Sequence, residues 1–207
     1  MQSPRSYRPL VLAVTLLLVR PFALTAQSAG APTADLSFKQ VKPSDKFTQL
    51  EGEGFTLSYP DNWKAAGSAG SRLIAPPVAV SEAGIAYGVF IGTNLSSEAA
   101  SLDEAVRNLS KGLLQQNPGM RVSGEAKPVT VNGVEGRSME LAGDSTLKKN
   151  GKPLPERDWV VALPRAQGGL LYMVFVSPER DFSQLHPTYQ KMLDSVHLRA
   201  ASTGSSQ

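Results

Sequence analysis

Two hairpin signals constrain this chain more than anything else in it. Residues 129–131 and 134–141 are strand-like and flank Asn132-Gly133, the dipeptide that most readily takes the positive φ values of a two-residue hairpin turn. Residues 159–163 and 170–176 flank a loop containing Gly168-Gly169. The run Leu170-Leu171-Tyr172-Met173-Val174-Phe175-Val176 is almost wholly apolar, which predicts a central strand covered on both faces. A chain with these two hairpins must build an antiparallel sheet and needs something to cover each side of it.

The covering elements are legible as helices. Ser101 and Glu104 form an S-x-x-E box at a helix start. Leu102, Ala105, Val106, Leu109 and Leu113 then make one apolar stripe, and Asn117-Pro118-Gly119 ends it. Gly112, inside the helix, suggests close packing. A closing helix aligns Phe182, Leu185, Tyr189, Met192, Leu193 and Val196. Pro187 fits only a first turn, so this helix is expected to start near Leu185. Earlier strands are predicted at 55–59, where Phe55, Leu57 and Tyr59 alternate with polar residues, at 72–75 and at 85–91. The order β-β-β-α-β-β-β-β-α indicates an α+β fold, an antiparallel sheet with two main helices.

The ends of the chain read differently. Arg5 and Arg8 precede an apolar run over residues 10–19, followed by Arg20-Pro21 and by small residues up to Ala26. This is the layout of a secretory signal peptide over residues 1–26, although Leu24 is a weak residue at −3. The alternative, an uncleaved anchor, is opposed by Arg20, because a bilayer span needs about 20 apolar residues. Residues 27–46 are expected to be a linker, 47–199 the domain and 200–207 a disordered tail. The chain is thus expected to be exported, periplasmic or extracellular, with no stable membrane insertion after cleavage. Residues 1–26 hold three of the 21 basic residues and no acid, so the remainder carries as many basic as acidic side chains. A neutral surface argues against nucleic acid, whose affinity comes largely from neutralising phosphates. It also favours association that is short-range and weakly salt-dependent. The absence of cysteine removes disulfides, thiol nucleophiles and thiolate metal sites.

The segment Gly54-Phe55-Thr56-Leu57-Ser58-Tyr59-Pro60-Asp61-Asn62-Trp63 resembles the F-x-x-x-Y-P-x-x-W opening of PsbP-like domains. These α-β-α sandwiches are shared by the extrinsic photosystem II protein PsbP and the Ran-binding Mog proteins. Met192-Leu193-Asp194-Ser195-Val196 is similar to the family's ending. Asp158-Trp159-Val160-Val161 through Pro178-Glu179-Arg180-Asp181-Phe182 resembles the C-terminal module attached to some exported bacterial Ste-type zinc metallopeptidases. The resemblance spans roughly residues 47–199 and is carried by core and turn residues, so it speaks to fold more than function. It implies protein binding or assembly, with a protein partner in the envelope, and no catalytic residue.

Chemical motifs point the same way. The H-E-x-x-H of those peptidases is missing, and the only histidines are His186 and His197. A metal site would need both to converge with Asp181 or Asp194. Ala66-Gly67-Ser68-Ala69-Gly70 spells a nucleophile-elbow variant, but a strand is expected after it in place of the helix the elbow requires. Ser145-Thr146-Leu147-Lys148 spells S-x-x-K in an expected polar loop, without its usual partner motifs. Neither G-x-x-x-x-G-K-[ST] nor G-x-G-x-x-G occurs. Lys148-Lys149-Asn150-Gly151-Lys152 reads as a solvated hairpin tip, and Asn94-Leu95-Ser96 and Asn108-Leu109-Ser110 fit the glycosylation sequon. Trp63, Trp159, Tyr59 and Tyr87 are expected in the core rather than on a ligand surface. No catalytic, cofactor-binding or metal-ligating residue is therefore nominated, and no cofactor. The expectation is a non-enzymatic binding or accessory module whose contacts lie in loops 64–71 or 143–156. The alternative is an unrecognised hydrolase using Ser68 or a histidine such as His186, or a peptidase-associated protein.

Overall fold

The computed structural model describes residues 36–68, 70–94, 101–166 and 168–199. The expected signal peptide, the tail and Leu95-Ser96 of the first sequon lie outside the described residues. Helix α1 (Phe38–Val41) leads into strands β1 (Phe47–Gly52) and β2 (Phe55–Pro60). The hairpin β3 (Lys64–Ser68) and β4 (Ser71–Ala75) follows, and after it the short pair β5 (Val80–Ser81) and β6 (Gly84–Ile85). Strand β7 (Gly88–Asn94) precedes helix α2 (Leu102–Gln116). Strands β8 (Arg121–Val122), β9 (Lys127–Val131), β10 (Val134–Lys149), β11 (Lys152–Pro164) and β12 (Leu170–Pro178) come next. Helix α3 (Glu179–Asp194) and β13 (His197–Leu198) close the described chain.

The main sheet runs β3-β4-β7-β12-β11-β10-β8, with β9 also paired to β10, and a smaller sheet runs β1-β2-β13. Among the described residues the strand pairings within the main sheet are antiparallel. Each of two Asn-Gly turns takes positive φ at both positions, 47° and 83° at Asn132-Gly133 and 53° and 78° at Asn150-Gly151, as a type I′ hairpin requires.

Strand alternation divides the core in two. Trp159, Val161, Leu163, Met173, Phe175, Val89 and Ile91 face α3 and the smaller sheet. Val160, Ala162, Val174, Met139 and Leu141 face α2. Helix, sheet and helix thus form the expected α-β-α sandwich, with an antiparallel sheet between two main helices. Trp63 is 1% exposed and meets Tyr189 edge-on at 6.2 Å. The α2 start is as expected: the Ser101 hydroxyl accepts the Glu104 backbone N–H at 3.2 Å.

Several local expectations are corrected. The predicted strand 85–91 is interrupted at Ala86-Tyr87, between β6 and β7. Gly88 restarts it with φ 143°, where a Cβ would lie 2.5 Å from the Ile74 carbonyl oxygen. Helix α3 begins at Glu179, with Pro187 inside it. Pro187 cannot donate to the Ser183 carbonyl, but both residues are exposed, so the missing bond falls on the solvent side. Gly112 has nothing within 4 Å of a built Cβ, so close packing is not its reason.

The expected linker is not one from Leu36 onward. Leu36 and Val41 are 2% and 1% exposed. The Arg180 guanidinium donates to the Leu36 carbonyl at 2.8 Å, and the Ser37 backbone N–H and hydroxyl both donate to Gln40 Oε1 at 3.0 Å at the start of α1. Beneath this segment the Tyr87 hydroxyl donates to Asp181 at 2.6 Å, and Arg180 pairs with the same carboxylate at 3.2 Å. Burial, followed by the Asp181 bond, raises the Tyr87 phenol.

Candidate functional site

The two loops expected to make contacts are hairpins. Residues 64–68 are β3 and Ser71 opens its antiparallel partner β4, and residues 143–156 are mostly the paired ends of β10 and β11. Ala65, Ala66 and Gly67 have little strand propensity, so pairing with β4 decides their conformation. In the second hairpin a register shift between Asp144 and Lys148 interrupts the alternation, while Leu147 and the half-buried Leu154 join the α3-side core. The tips lie near opposite edges of the sheet. They also lie at opposite ends: the chain of partners Ser71, Gly92, Tyr172 and Ala162 places the first tip toward the far end of β11, whose beginning carries the second. They cannot form one surface.

The residues weighed for chemistry are also apart in role. Ser68 ends an edge strand and is exposed. His186 lies between Trp159 and Phe182, with ring centroids 5.0 and 5.6 Å away. His197 is exposed on β13, its Nδ1 3.0 Å from the Ser195 carbonyl. Asp181 is committed to Tyr87 and Arg180, and Asp194 accepts from Gln190 at 2.7 Å. Ser145 is buried in β10, not in a loop, and its hydroxyl accepts the Leu147 N–H at 3.3 Å. Trp63, Tyr87 and Trp159 are in the core as expected, with Tyr59 partly buried against it.

The structure assembles an open groove of about 480 Å³ between the segment after α1 and the outer side of α3. Its walls include Phe38, Lys42, Pro43 and Phe47 on one side and Pro187 and Lys191 on the other. Buried Val41 anchors the first wall. Asn62 fixes its course: its side-chain amide donates to the Lys42 carbonyl at 3.0 Å and its carbonyl accepts the Ser44 N–H at 2.9 Å. The Lys191 ammonium sits 4.0 Å from the centre of the Phe47 ring, a cation–π contact that holds the charge at the groove. Sequence reasoning missed this site because residues 38–47 lack any sustained period. Phe38, Val41 and Phe47 were the only signal.

A second feature lies on the α2 side of the sheet. Glu156 and Asp158 are two residues apart on β11, so both side chains leave the same face. They are 8% and 1% exposed. The cross-strand partners of Asp158 are Leu141 and Val176, and one Asp158 carboxylate oxygen is buried without a hydrogen-bond partner. Burial raises Asp158 to about 7. Burial, then the charges of Asp158 and Asp144, raises Glu156 to about 8 against an opposing bond with Ser145. No local pattern marks this pair, because its burial depends on neighbours that pair with β11 only in the fold.

No protein-family model matches the sequence, and no curated protein matches it. Among solved structures the chain is similar to cyanobacterial PsbP (CyanoP) from Synechocystis sp. PCC 6803. That likeness has a TM-score of 0.53 at 11% identity and covers 73% of this chain and 92% of the other. It is also similar to the Ran-binding protein Mog1p of Saccharomyces cerevisiae, with a TM-score of 0.54 at 13% identity over 76% of this chain and 97% of the other. The fold is therefore PsbP-like. At such identities the likeness speaks to the fold alone.

Proposed function

We propose that this chain is an exported, non-enzymatic binding or accessory module of the bacterial envelope, acting by holding a protein partner. The observation that carries the reading is the open groove beside α3. It offers aromatic and proline surface with charges at its edges, the composition of a contact surface rather than of an enclosed substrate pocket. The shared fold supports it by analogy, since Mog1p is a Ran-binding protein. The resemblance of residues 158–182 to a module attached to Ste-type zinc metallopeptidases makes an envelope peptidase one candidate partner. Export rests on the N-terminal layout described above.

Crosslinking capture from envelope extract, run beside a broad hydrolase screen with and without chelator, tests the proposal. A specific partner without turnover supports it. Turnover abolished by Ser68→Ala or His186→Ala would replace it with the hydrolase reading.

A further inference from the structure

The groove beside α3 carries a charge pattern that the overall composition conceals. Lys42 and Lys191 line it, with Asp45 as its one lining acid. Lys39 and Lys46 flank the same wall and are exposed. Among the described residues none of these four lysines is in an ion pair. The cluster is thus available to a partner, in a chain whose acids and bases balance once the first 26 residues are set aside. Between the lysines lie the rings of Phe38 and Phe47 and the exposed Pro187.

Resting on the reading of this chain as a protein-binding module, we propose that the groove receives an acidic segment of a partner protein bearing a large apolar anchor. The carboxylates would meet Lys42 and Lys191 at the rim, with Lys39 and Lys46 extending the field. The anchor would enter between the two phenylalanines and Pro187. Apolar burial would supply most of the affinity, and the lysines the choice of partner and the speed of encounter. Two other occupants fit less well. A second copy meeting the groove by two-fold symmetry would set the same lysines against themselves. The chain's own leading residues, Gln27-Ser28-Ala29-Gly30-Ala31-Pro32-Thr33-Ala34-Asp35, offer one acid and no large apolar side chain.

The test is fluorescence anisotropy on the whole protein with three labelled peptides: a glutamate-rich peptide with a central tryptophan, its lysine-rich counterpart, and the glutamate-rich peptide with serine replacing tryptophan. The first should bind best, and added salt should weaken it. Lys42→Glu with Lys191→Glu should weaken it by about 10-fold or more while circular dichroism shows the fold retained. Lys152→Glu, at the distant β10–β11 tip, should leave it unchanged. Equal binding of the lysine-rich peptide, or indifference to the double reversal, overturns the proposal. So does self-association abolished by that reversal. Tighter peptide binding on deletion of residues 27–34, which carry no charge, would identify the leading segment as occupant and also overturn it. Failure here beside a partner captured from extract leaves the binding-module reading standing, whereas turnover without any partner removes both.

Discussion

The buried acid pair on β11 gives the most quantitative prediction. In the unfolded chain Glu156 and Asp158 titrate near the ordinary carboxyl value of about 4. In the folded protein burial raises Asp158 to about 7, and burial followed by the charge of Asp158 raises Glu156 to about 8. The folded state therefore holds protons that the unfolded state has released, throughout the window between those values. Where the folded state binds more protons, stability falls as pH rises. The contribution is fully present below about pH 4 and is lost progressively as pH climbs through about 8. One extra bound proton is worth about 1.4 kcal/mol per pH unit. Mutual coupling and local relaxation reduce the sum for two such groups, so a loss of ~2–4 kcal/mol is expected between about pH 5 and pH 8. The perturbation is Glu156→Gln with Asp158→Asn, which keeps shape and removes titration. Urea unfolding followed by tryptophan fluorescence across that range measures both proteins, and subtraction removes every other titrating group. The double variant should lack this slope and be more stable than the parent at about pH 8, by ~2 kcal/mol. A parent whose stability relative to the variant rises with pH, or a variant that is weaker at about pH 8, would refute the reasoning.

Trp63→Ala should destabilise by about 3–5 kcal/mol in denaturant unfolding, since the indole is 1% exposed against Tyr189. A change below about 1 kcal/mol would place that ring outside the core. Tyr87→Phe removes the 2.6 Å bond to Asp181 and should cost about 1.5–3 kcal/mol, measured the same way. It should also speed proteolysis in the 36–46 segment, because Arg180 binds both Asp181 and the Leu36 carbonyl. Intact mass of exported protein should correspond to a chain beginning at Gln27. Retention of residues 1–26 in a membrane fraction would favour the anchor.

What the sequence determined by itself was local and periodic. Asn132-Gly133 set a hairpin because few other residues accept its dihedral angles, and it did so without reference to any distant residue. The stripe from Leu102 to Leu113 and the one from Phe182 to Val196 were visible because a helix face repeats within a few residues. The same local logic placed Trp63 in the core. It failed wherever long-range pairing overrides propensity. Ala65-Ala66-Gly67 becomes a strand only because β4 lies beside it, and residues 143–156 become strand only through their partners across the Asn150-Gly151 turn. Pro187 stays within a helix because its missing hydrogen bond happens to face solvent.

The candidate site was almost wholly a tertiary decision. Phe38, Lys42 and Phe47 stand nearly 150 residues from Pro187 and Lys191, and no spacing rule relates them. They meet because Leu36 and Val41 are buried and Arg180 holds the Leu36 carbonyl. Net charge is a sum over the chain and is blind to position, so an even balance of charges over residues 27–207 and a cluster of four lysines are compatible. The acid pair follows the same rule. Two carboxylates two residues apart look solvated in sequence, and only the strands on either side, with Leu141 and Val176 flanking Asp158, exclude the water that would keep them ionised.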